Sequence, residues 1–211
     1  MTQASAERVY QETKEQILSG QLTGGTLLSE GQVAQSLGVS RTPAREAFVR
    51  LQAEGLLSLL PRRGAVVAAM SVAEAVDVLE ARLALEGAAL TRLAHREDRW
   101  ERLSEARTRL EEQSEYVAAG SLADFIASDA RFHLAVVGAS GNALIEGMYA
   151  SLGDRQRLMA RAALSSRPDR VVELLSEHHE LLRLAVLGDA AEYTLQLQRH
   201  LDTTYDLLTG R

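Results

Sequence analysis

The sequence predicts a mainly α chain in two parts: a helical unit with one small β-hairpin over residues 1–70, and an antiparallel bundle of about six helices over residues 71–211. Three observations carry this reading. Apolar residues recur at three- and four-residue intervals along most of the chain. The β-prone stretches Leu56–Leu60 and Ala65–Ala69 flank Pro61-Arg62-Arg63-Gly64, and no strand signal recurs from Ser71 onward. With 46% apolar and 25% charged residues among 211, each part can bury a core.

Within Ala6–Ser19, Val9, Tyr10, Thr13, Ile17 and Leu18 share one helix face, and Gly20 ends that helix. After the loop Thr23-Gly24-Gly25-Thr26, Ser29 and Gln32 have the spacing of a capping box opening a short helix through Leu37. Gly38-Val39 makes a turn. Ser40 then caps a helix to Glu54, with Pro43 in its tolerant first turn and Gly55 as its stop. Helix, turn, helix and hairpin in series make a winged helix-turn-helix. The remainder divides into Val72–Ala94, Asp98–Ala119, Leu122–Gly138, Ala143–Ala163, Arg170–Leu187 and Ala190–Leu208, and short connections make neighbours antiparallel.

A net charge of -6 argues at first against a nucleic-acid partner, because phosphates are neutralised by Lys and Arg. Its distribution removes the objection. Residues 1–70 carry seven basic against six acidic side chains, leaving 16 basic against 23 acidic for the rest, and five of those seven basic residues lie between Arg41 and Arg63. No run of about 18 uncharged apolar residues predicts a membrane span, and the first residues lack the basic-then-apolar order of a secretory signal, so a cytoplasmic protein is expected. The absence of cysteine excludes disulfides, thiol nucleophiles and Cys-held zinc. Any metal must be held by His and carboxylate.

In the helix after Ser40, Ala44, Ala47, Phe48 and Leu51 form the inward stripe, which turns Arg41, Thr42, Arg45 and Val49 outward. An arginine fork can bond guanine O6 and N7, while Ser40, Thr42 and the amides at the helix start suit phosphate oxygens. Arg50, Arg62 and Arg63 are expected on the DNA backbone or the adjacent minor groove. The run from Ser40 to Leu51, with Glu54-Gly55-Leu56-Leu57 and Arg63-Gly64, resembles the signature of GntR-superfamily winged-helix repressors. That resemblance implies that Arg41 and Arg45 read bases or adjacent phosphates of double-stranded operator DNA and that Gly64 of the wing approaches it. Thr23-Gly24-Gly25-Thr26 lacks the proline usual in the family. Gly31 stands where many members carry a DNA-touching arginine, which leaves more of the reading to Arg41 and Arg45.

In the second part, Leu122, Phe125, Ile126, Phe132, Val136 and Val137 trace a buried stripe that includes Asp129 and His133. Their four-residue spacing points both side chains the same way, as a metal half-site requires, although a simple ion pair has the same spacing. Periodicity places His178 on the seam of its helix and turns His179 away, and His200 shares a face with Tyr193, Leu197, Thr204 and Leu208. Arg82 falls close to the seam of Val72, Ala75, Val76, Leu79 and Leu83. It could clamp a carboxylate-bearing effector or pair with Glu86.

Asp129-Ala130-Arg131-Phe132-His133, Ser140-Gly141-Asn142, Glu177-His178 and His200 resemble the FCD effector domain of the FadR-like branch, and six helices suit its VanR-like subgroup. The resemblance implies that Asp129, His133, His178 and His200 hold a divalent metal, Zn or Ni, and that Arg82 and Asn142 meet the effector. The expected protein is a homodimeric regulator of a roughly palindromic operator, controlled by a small organic acid and not an enzyme. Two alternatives remain open: a purely structural metal with no effector, and a metal-dependent hydrolase, for which no HExxH, second metal cluster or nucleophile-plus-base pair is found.

Overall fold

The computed structural model describes residues 2–165 and 167–209, which form two compact units, Met1–Met70 and Ser71–Arg211. In the first, α1 (Thr2–Leu18) packs on α3 (Arg41–Ala53), and α2 (Glu30–Ser36) packs on α3 from another side. The stripes dictate this packing: Val9, Ile17 and Leu18 of α1 and Ala44, Ala47, Phe48 and Leu51 of α3 are buried together with Thr13. Helix α1 starts four residues earlier than its apolar spacing predicts.

Strands β2 (Leu57–Leu60) and β3 (Gly64–Val67) form the expected antiparallel hairpin, with Leu57 opposite Val67 and Leu60 opposite Gly64. A third strand, β1 (Leu27–Leu28), pairs along the other edge of β3. Two residues after a Gly-rich loop carry no alternation, so β1 was not legible in the sequence. It also explains Gly64. This residue has φ +95, and a Cβ there would run into the Leu28 carbonyl, so strand packing alone demands glycine.

Ser29 and Ser40 precede α2 and α3 with extended backbone, but neither side chain makes a capping hydrogen bond. The expected Ser29–Gln32 box is therefore absent. A complete box occurs instead at Ser71 and Glu74, where Ser71 Oγ accepts from the Glu74 amide and Glu74 accepts from the Ser71 amide.

That box opens α4 (Val72–Ala94), followed by α5 (Arg99–Arg102), α6 (Ser104–Ala119), α7 (Leu122–Gly138), α8 (Ala143–Ala150), α9 (Gly153–Leu164), a 3₁₀ turn (Pro168–Arg170), α10 (Val171–Leu187) and α11 (Ala190–Thr209). Two predicted blocks are interrupted. The chain turns at Leu103, burying that side chain between α5 and α6. At Leu152 the amide bonds back three residues to Tyr149, and Gly153 begins the next helix. Helix α7 runs through the middle, against α4, α6, α8, α9 and α10, so its side chains meet every layer of the bundle.

Candidate metal centre and nucleic-acid interface

On the first unit, Arg41 and Arg45 project from the exposed face of α3, and Arg62 and Arg63 stand at the tip of the wing. All four line one concave surface with Ser29, Gly31 and Gly64. Ser40 and Thr42 are exposed at the start of the same helix, their hydroxyls uncommitted to capping. Four arginines converging on a groove suit phosphate and guanine recognition. Gly31 sits beside Arg41: a Cβ at position 31 would lie 3.6 Å from both Nε and Nη2 of that guanidinium, in ordinary van der Waals contact.

Arg50 is placed differently. It donates to Glu7 at 2.6 Å and stacks over the Tyr10 ring, 3.8 Å from its centroid, while Tyr10 and Lys14 both reach Glu54. Nine residues after Arg41, it lies on the opposite side of α3 and ties that helix to α1. The sequence assignment of Arg50 to a phosphate does not fit this geometry.

In the second unit, Asp129 and His133 from α7, His178 from α10 and His200 from α11 bring one ligand atom each within 4.8 Å of one another, and all four are buried. His179 is exposed and bonds its own helix, as its periodicity requires. Each inward histidine has its Nδ1 committed to an oxygen acceptor: His133 to Glu86 at 2.9 Å, His178 to Gln113 at 2.7 Å, His200 to Glu177 at 2.7 Å. A carboxylate or amide oxygen can only accept, so Nδ1 carries a proton in each, which leaves Nε2 as the atom turned toward the cluster. The Nε2 atoms of His133 and His178 are buried without a hydrogen-bond partner. They face Asp129 Oδ1 at 3.9 and 3.2 Å.

Burial lowers the pKa of both histidines, His178 to about 3, so both imidazoles are neutral at physiological pH. Burial by itself would raise the Asp129 carboxyl, but the Arg82 guanidinium favours its ionised form. Three imidazole lone pairs and one carboxylate, held by a fixed outer shell, fit a divalent transition metal with open positions.

The sequence marks Glu86 only as a partner for Arg82. It is fully buried and accepts four hydrogen bonds: Arg82 Nε at 3.2 Å and Tyr149 at 2.5 Å on one oxygen, His133 at 2.9 Å and Tyr193 at 3.3 Å on the other. Burial would raise its pKa, yet His133 and Arg82 bring it down to about 2. Among the signals available, its four-residue spacing from Arg82 was the one that marked it. Gln113 carried none, and Glu177 stood only as a neighbour of His178 in the motif that carries the resemblance. Arg82 forms the ion pair with Glu86 and also lines a cavity beside Asp129 and His200, with its Nη2 buried and unpartnered. Asn142 is not at that cavity. Its Oδ1 caps α8, accepting from the Leu144 and Ile145 amides.

The helix-turn-helix with its arginine-lined wing defines a DNA-binding transcriptional regulator. Residues 5–67 match the bacterial regulatory proteins, gntR family, and residues 77–203 match the FCD domain. The chain belongs to the GntR family of regulators, which bind operator DNA, and carries an FCD domain. A D-xylose utilization operon transcriptional repressor of Paenarthrobacter nicotinovorans is 31% identical over 85% of this chain and 79% of its own length. An HTH-type transcriptional regulator from the TAR-I ttuE-ttuC' intergenic region of Agrobacterium vitis is 40% identical, over 43% of this chain and 55% of that protein. Among solved structures, a GntR transcriptional regulator of Rhodococcus sp. RHA1 shares the fold, with a TM-score of 0.84 at 22% identity, covering 98% of each chain. Among the described residues, no helix is long and apolar enough to cross a membrane.

Proposed function

We propose that this chain is a cytoplasmic, homodimeric repressor that binds a roughly palindromic operator and responds to a small carboxylate at a metal held by Asp129, His133, His178 and His200. One observation carries the metal reading: three inward histidines each have Nδ1 bound to an oxygen acceptor, leaving Nε2 for the ion. Zn²⁺ or Ni²⁺ matches the nitrogen-rich donor set. The ion would supply a positive anchor for the effector carboxylate, and Arg82, with one free guanidinium nitrogen, would take the other oxygen. Arg41 and Arg45 would read bases, with Arg62 and Arg63 on phosphates. Repression is supported by the name of the xylose-operon relative.

The reading is tested by selecting operator sequences with the full chain and measuring anisotropy on the selected DNA, with and without Zn²⁺ and a carboxylate panel. Expected are an inverted repeat and an affinity that changes when metal and acid are both present. An operator affinity indifferent to both additions removes effector control. A second reading, a purely structural metal, is favoured by one fact: the cavity beside the cluster measures ≈ 20 Å³, about enough for a single water. That reading requires chelation to lower the melting temperature sharply while no acid shifts the metal-loaded protein.

A further inference from the structure

The cavity next to the metal cluster is built asymmetrically. Its wall is the apolar side chains of Phe125, Ile126, Met159, Ala163, Leu164 and Leu174, and polar groups enter only from Arg82, Asp129, His200 and Thr204. Of these four, Thr204 Oγ1 has its proton on the His200 carbonyl at 3.2 Å and keeps only acceptor capacity, and His200 Nδ1 is held by Glu177. What remains is Arg82 Nη2, which is buried and partnerless on a side chain only 2% exposed, and the ion position at Asp129. Both favour an anion. Beyond them the cavity backs onto the cluster of Phe125, Ile126, Leu164 and Leu174, with no polar side chain among its members.

Resting on the effector reading above, we propose that the ligand is a monocarboxylate with a compact apolar body, and that the site discriminates against polyhydroxylated acids and dicarboxylates. A second carboxylate carried into this wall would lose its water and find no donor, and of several hydroxyls no more than one could be answered, by a lone pair of Thr204 Oγ1. This separates the chain from what the name of its xylose-operon relative suggests, since a sugar is covered in hydroxyls. Because the cavity as it stands holds about one water, the ligand body must displace side chains. Met159 is unbranched and can repack, and Leu207 lies near the end of α11, so these two walls yield most easily.

The test is calorimetry on the full chain loaded with Zn²⁺, titrated with acetate, butyrate, hexanoate, benzoate, gluconate, succinate and the neutral amides of butyrate and benzoate. Affinity is expected to rise about fourfold per methylene from acetate until the space is filled. Gluconate is expected to bind more than about tenfold weaker than hexanoate, which has the same number of carbons, and succinate more than about tenfold weaker than butyrate. In Met159→Ala the optimum should move to acids one or two carbons longer. Gluconate or succinate binding as tightly as the plain acids overturns the apolar-body proposal while leaving a carboxylate sensor in place. Amides binding as well as their acids, or no acid binding at all, overturns the effector reading itself.

Discussion

At the scale of single residues, identical side chains on one helix have divergent roles, and geometry separates them. Arg41, Arg45 and Arg50 all stand on α3, but the first two line the groove and the third stacks on Tyr10 and pairs with Glu7. Arg41→Ala and Arg45→Ala should each weaken operator binding by about 1–3 kcal/mol in a gel shift, with melting temperature unchanged. Arg50→Ala should do the reverse, leaving sequence preference intact and lowering the melting temperature only slightly, because its ion pair is half exposed. In the second unit, Glu86 matters as much as the ligands. Glu86→Gln should reduce metal affinity about 10–100-fold in a chelator competition, since an amide cannot satisfy His133 Nδ1, Tyr149, Tyr193 and Arg82 together. The same change leaves Arg82 without a counter-charge in the interior and should lower the melting temperature as well. An unchanged metal affinity in Glu86→Gln would remove its positioning role.

At the scale of elements, the helices were legible because their apolar stripes keep a 3.6-residue period, and the wing because Pro and Gly punctuate two β-prone runs. Capping was less legible. Three serines have the right spacing or position, at Ser29, Ser40 and Ser71, but only Ser71 closes a box, because its partner three residues on is a glutamate whose carboxylate reaches back. The resemblance places Asn142 at the effector, whereas its side chain holds the start of α8. Asn142→Ala should therefore cost about 1 kcal/mol of stability in denaturant melts and leave the affinity for carboxylates unaltered in calorimetry. A stable variant with impaired ligand binding would restore the effector assignment.

At the scale of the whole molecule, the acidic total hides two differently charged units, and the basic residues of the first are concentrated where DNA would lie. The cluster of Asp129, His133, His178 and His200 draws on three helices, so an ion there would cross-link α7, α10 and α11. Chelation of the purified chain should lower the melting transition of the second unit by several degrees, and stoichiometric Zn²⁺ should restore it, as read by circular dichroism. A melting curve indifferent to both treatments would remove the metal from the account.

The sequence by itself determined the two-part α architecture, the outward arginines of α3 and the inward set Asp129, His133, His178 and His200. Each of these follows from periodicity along one helix, a local property that survives without knowledge of the partner helices. Only the tertiary structure decided which groups meet across helices: Glu86 under His133, Gln113 on His178, Glu177 on His200, Arg50 on Tyr10, and β1 against Gly64. These partners lie 23 to 65 residues apart in the histidine network. A period says which face is buried but not what it is buried against, so the four inward residues could be read from the chain and the partners that orient them could not.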